Sequence, residues 1–160
     1  MTLEKEIHQV RPFRNDYHRA FVNIIYSGKW MLQFSNDLLK PYNLTPQQYN
    51  ILRILRGQYP EASTIIYIRE RMLDRMSDAS RIVEVLRKKG LVERNVCEGN
   101  RRRMDVLITE KGLYLLSEIE KEENERMDKH LSALDEQEIN QLNLLLDQLR
   151  NHTDYALKSA

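Results

Sequence analysis

Apolar residues recur along most of this chain at helical spacing. Residues 1–11 form a polar lead-in that ends near Pro12. From Phe13 a stripe runs through Tyr17, Ala20, Phe21, Ile24, Gly28, Met31, Leu32, Ser35 and Leu38. Steps of three and four predict one face of a long amphipathic helix. At ~1.5 Å per residue it is on the order of 40 Å long, too long for a small domain to cover alone. Such a helix calls for a partner. Pro41 closes it. Thr45-Pro46-Gln47-Gln48 then opens a second helix, with Thr45 as cap, Pro46 at a tolerated position and Gln48 completing a capping box. Ile51, Leu52 and Leu55 form its buried face, and Gly57 stops it.

Residues 63–73 carry a mixed signal. Thr64-Ile65-Ile66 leans to strand, whereas Ile65, Ile68 and Met72 fit a helical face, and we assign a short helix. Ser77 is the expected cap of the next helix, with Ile82, Val85 and Leu86 inward and Gly90 at its end. Residues 91–109 alternate apolar and polar on both sides of Gly99-Asn100, which predicts a β-hairpin with a basic tip. Thr109 caps a long helix reaching about His130. Leu134–Ile139 is another capping box, and Ile139, Leu142, Leu146 and Leu149 give the last helix a heptad-like stripe. The fold expected is mainly α: a winged helix-turn-helix with a small β-hairpin wing, flanked by long N- and C-terminal helices.

Charge changes the picture, because the net +1 of the 160 residues conceals a segregation. Residues 69–103 hold eleven basic and six acidic side chains, whereas residues 104–160 hold six basic and thirteen acidic. Phosphate binding depends on where cations stand rather than on their total. Near the start of the helix after Ser77, Ser77 and Ser80 can bond bases or phosphates. Ala79 can pack on a thymine methyl, and Arg81 can fork onto guanine O6 and N7. Lys88, later on the helix beside Arg87 and Lys89, suits phosphates. Arg101, Arg102 and Arg103 at a tight turn repel one another and add nothing to a core, but they suit the negative potential of a narrow minor groove.

Taken together these residues resemble the MarR-type (multiple antibiotic resistance regulator) winged-helix transcription factors. The carrying segments are Ser80–Arg94, Asn100-Arg101-Arg102 and Thr109–Gly112, with Thr45–Leu52 resembling the helix before the DNA-binding unit. The resemblance implies a single domain over residues 1–160. Residues of about 12–41 and 113–157 would supply dimerisation helices, and about 44–112 a DNA-binding lobe. It implies a homodimer on a pseudopalindromic duplex operator, with Arg102 reaching the minor groove. Asn100 stands where the family usually has an aspartate that orients this arginine. A small-molecule effector is a further implied partner, at residues the sequence does not identify. The function expected is a dimeric repressor released by a small ligand or oxidant.

Other classes find less support. Without a phosphate loop or nucleophile elbow, the chain is not expected to be an enzyme or to carry a cofactor. The four histidines lack metal-site spacing, and the one cysteine, Cys97, excludes an intramolecular disulfide. Cys97 is read as structural, with oxidation sensing as its alternative. The polar start MTLEKEIHQV and the lack of a long apolar stretch point to a cytoplasmic protein without membrane contact. The alternative function is a helical dimerisation or adaptor protein whose winged helix binds protein rather than DNA.

Overall fold

The computed structural model describes the backbone of residues 2–97 and 100–158, and the side chains of 2–94 and 105–151. Two compact units emerge, Met1–Glu120 and Lys121–Ala160. The first opens with α1 (Leu3–Glu6), a short turn inside the expected polar lead-in. Next comes α2 (Asp16–Leu39), which starts later than Phe13 because the Asn15 side chain accepts the His18 N–H at 2.9 Å and sets the boundary. Pro41 sits in a single 3-10 turn, Lys40–Tyr42, that ends at Asn43 with a left-handed φ of 53°. Helix α3 (Pro46–Arg56) begins with the expected box: Thr45 Oγ1 accepts the Gln48 N–H, and Gln48 Oε1 accepts the Thr45 N–H.

The ambiguous segment contains both elements. Ser63–Thr64 is a short strand, β1, and Thr64 then caps α4 (Ile65–Arg71) by accepting the Tyr67 N–H at 3.1 Å. Helix α5 (Ala79–Lys88) follows, then β2 (Val92–Cys97), β3 (Asn100–Ile108), α6 (Glu110–Leu131) and α7 (Glu136–Lys158). The antiparallel sheet has the order β1-β3-β2, so the wing hairpin gains a third strand. Ser63 pairs with Val106, and Val92 with Ile108.

The core of the first unit joins Leu38 and Leu39 of α2, Ile51, Leu52 and Leu55 of α3, and Ile68 of α4. Val83 and Leu86 of α5, Val106 and Ile108 of β3, and Leu116 and Ile119 of α6 complete it. Only the C-terminal part of α2 is buried. Tyr17 (88% exposed), Phe21, Ile24 and Leu32 of the predicted stripe lie open in the single chain. In the second unit Asp135 and Glu138 exchange hydrogen bonds at 2.9 Å, the predicted box at the start of α7. Leu142, Leu144, Leu145 and Leu149 are exposed there. Among the described residues no helix is long and apolar enough to cross a membrane.

Candidate nucleic-acid interface

The candidate site begins with the cap of α5. Asp78, not Ser77, is the cap: its Oδ1 accepts the Arg81 N–H at 3.1 Å. The Ser77 hydroxyl donates instead to Asp74 Oδ2 at 2.7 Å, inside the α4–α5 turn. Both residues are good caps by type, and Asp74 decides between them by engaging the serine. That hydrogen bond is also the main reason the Asp74 carboxyl titrates below its ordinary range. Ser77 therefore stands ahead of the helix, half-buried and already bonded.

The buried face of α5 is centred on Ala79, Val83 and Leu86, with Ile82 and Val85 half-buried at its edges. Ala79 is 3% exposed. Its methyl packs into the core and is not available to a thymine, which corrects the expectation that it reads a base. Ser80, Arg81 and Lys88 are exposed as expected. Among the described residues no ion pair engages the Arg81 or Lys88 side chain. Arg87 differs: its Nε and Nη2 donate to the two Glu84 carboxylate oxygens, both at 2.9 Å. This fork raises the Arg87 pKa and lowers that of Glu84.

Lys89, just past the helix, is a structural tether. Its Nζ donates to the Asn43 carbonyl and, at 3.0 Å, to Gln48 Oε1. The left-handed turn at Asn43 brings that carbonyl to the lysine. Gln48 is buried, so its amide oxygen serves both the cap of α3 and the end of α5. Asn43, Gln48 and Lys89 carried no sequence signal for this arrangement. Gly90 continues the structure at φ 69°, where a side chain is strained. The Gly90 N–H bonds to Arg87 O and the Leu91 N–H to Leu86 O, a Schellman closure of α5. Thr109 locks the far side: its hydroxyl donates to Gly90 O at 2.9 Å and accepts the Gly112 N–H at 3.1 Å. The base of the wing is thus tied to the end of α5.

In the wing, Val96 pairs with Met104 and Cys97 with Asn100. Among the described residues that register shift sets no partner opposite Arg101, Arg102 or Arg103, so the triplet occupies the irregular end of the hairpin. The backbone places Asn100, Arg101, Arg102 and Arg103 on β3. Their side chains, and that of Cys97, lie outside the described residues, as does the expected turn residue Gly99. Among the described residues no group of three or more His, Cys, Asp or Glu could hold a metal ion.

A capped helix with a buried rear face, a preceding helix and turn, and a strand-built wing define a winged helix-turn-helix. Residues 42–103 match the MarR family model. Most of the chain is similar in fold to solved structures. A MarR transcription factor from Planctomyces limnophilus is 26% identical, with a TM-score of 0.66 over 88% of this chain and 99% of that one. An organohalide-sensing transcriptional regulator bound to 2,4-dichlorophenol is 22% identical, with a TM-score of 0.79 over 92% of this chain and 85% of that one. The Staphylococcus aureus MepR–DNA complex is 21% identical, with a TM-score of 0.72 over 83% and 96%. The last two likenesses concern the fold alone.

Proposed function

We propose that this chain is a sequence-specific DNA-binding transcriptional regulator, acting as a homodimeric repressor on a pseudopalindromic operator. The observation that carries the reading is the outer face of α5. Ser80, Arg81 and Lys88 are exposed there, on a helix whose opposite face is fixed by Val83 and Leu86. A rigid helix with an exposed arginine in its first turn suits base-edge readout in the major groove. Ser77 is a weaker candidate for the same face because Asp74 already holds its hydroxyl. The Asn100–Arg103 segment at the end of the wing supplies minor-groove and phosphate contacts, with Arg102 the residue that reaches the minor groove.

The exposed apolar face of α2, together with the apolar side chains of α7, supports dimerisation through residues of about 12–41 and 113–157. Residues of about 44–112 then form each DNA-binding lobe, within a single functional domain. Release by a small ligand or an oxidant completes the reading. It is supported by the likeness in fold to a regulator solved with 2,4-dichlorophenol. A ligand that favours a different spacing of the two recognition helices would shift the dimer away from its operator.

The test is a binding titration at physiological salt with a duplex obtained by selection and a scrambled duplex of equal length. A specific reader binds the selected duplex at least about 10³-fold more tightly. Equal, weak binding to both duplexes refutes the reading and favours a protein-binding adaptor.

A further inference from the structure

The α4–α5 turn presents two apolar side chains to solvent. Leu73 is 91% exposed and Met76 94% exposed, whereas their neighbour Met72 is buried. Their backbones are pinned. The Leu73 N–H donates to Asn50 Oδ1 of α3 at 2.9 Å, and the Met76 N–H to Asp74 Oδ1 at 3.1 Å. A turn held this firmly on both sides keeps the two side chains outward although water is their least favourable surrounding. Neither contributes to the core.

We propose that Leu73 and Met76 read thymine methyl groups in the major groove, an assignment that rests on the DNA-binding reading above. Three observations favour this occupant over an apolar protein surface. The pair stands at the entrance to α5, within the segment that leads to Ser80 and Arg81. Arg75 lies between the two and is exposed, a cation that suits a phosphate backbone, whereas Arg71 on the preceding helix is engaged by the Tyr67 ring at 3.4 Å and by the Glu70 carboxylate at 4.0 Å. Finally, α5 has no exposed apolar side chain of its own, since Ala79 faces inward. The thymine C5-methyl is the apolar feature of the major groove, and on this lobe Leu73 and Met76 are placed to meet it.

The experiment uses the full-length protein and an operator obtained by selection. Each half-site thymine is replaced in turn by deoxyuridine, which removes only the methyl group. Affinity is measured for wild type, Leu73→Ala and Met76→Ala. Both positions are on the surface, so the variants should fold as wild type does. Wild type is expected to lose about fourfold in affinity at one or more thymines per half-site, a methyl's worth of burial. At that thymine, Met76→Ala or Leu73→Ala should bind thymine and uridine forms alike. If wild type and both variants respond equally to every uridine, or the half-site holds no thymine, the proposal is overturned while the regulator reading stands. If wild type selects no operator, both fall.

Discussion

The Lys89 ammonium donates to the Gln48 amide oxygen at 3.0 Å, across 41 positions of sequence. This bond, with the one to the Asn43 carbonyl, fastens the end of α5 to the beginning of α3. A helix that reads bases must be held in orientation, because a small tilt at its base moves its outer side chains out of register. Lys89 lies next to Lys88 in sequence, yet the two have different tasks.

That difference is measurable. Lys89→Met should lower the unfolding temperature by a few degrees, corresponding to ~1–2 kcal/mol for a charged hydrogen bond lost to a buried acceptor. It should weaken operator binding without changing the salt slope. Lys88→Ala should leave the unfolding temperature unaltered and reduce that slope by about one, as expected for a phosphate contact. Thermal denaturation and binding titrations over a salt series check both.

Arg56 and Glu120 meet at 2.6 Å, joining α3 to α6, and Arg53 approaches the same carboxylate at 3.8 Å. The hydrogen bond from Arg56 is the main cause holding the Glu120 carboxyl below its ordinary pKa of 4.5. A depressed folded pKa contributes stability above the unfolded value and loses it as pH falls through the folded one. Glu120→Gln should therefore unfold at a lower temperature than wild type at pH 7. The gap should narrow once the pH drops below about 4.5. Melting curves across this range check the sign.

Gly112 leaves no room for a side chain. A Cβ there would stand 2.4 Å from the Leu91 carbonyl oxygen and 2.7 Å from Ile108 Cγ1. The first of these is backbone at the start of the wing, so relief requires moving α6 away from it. Gly112→Ala should destabilise the lobe by at least ~1–3 kcal/mol, the usual cost of overpacking. Urea unfolding should show an earlier midpoint with an unchanged slope.

Arg102→Ala should weaken operator binding while leaving most of the preferred sequence intact. The change in preference should concentrate at A·T-rich flanks, where a narrow minor groove attracts arginine. Comparing affinities for operators with A·T-rich and G·C-rich flanks checks this: wild type should prefer the former, and the variant should lose much of that preference.

Much of this architecture was legible in the sequence because its signals are local. The Thr45–Gln48 and Asp135–Glu138 boxes need only a few residues, and both formed as expected. Ser77 and Asp78 are adjacent and equally able to cap, so only the engagement of Ser77 by Asp74 separates them. Ala79 fits either face of a helix by type, and its burial follows from a face centred on Val83 rather than between Ile82 and Val85. Strand β1 has two residues, too few for alternation to reveal. The Lys89–Gln48 bond depends on the tertiary path of the chain, to which no local pattern points.

In the proposed function the outer face of α5 reads a DNA sequence as part of a symmetric dimer. In-vitro selection from random duplex DNA at physiological salt, run with wild type and Arg81→Ala in parallel, tests it most directly. Wild type is expected to enrich a pseudopalindromic site. The variant should enrich the same site with its preference blurred at one base pair per half-site, at a cost of ~1–3 kcal/mol there. No enrichment by folded, dimeric wild-type protein, or identical sites from both proteins, would contradict it.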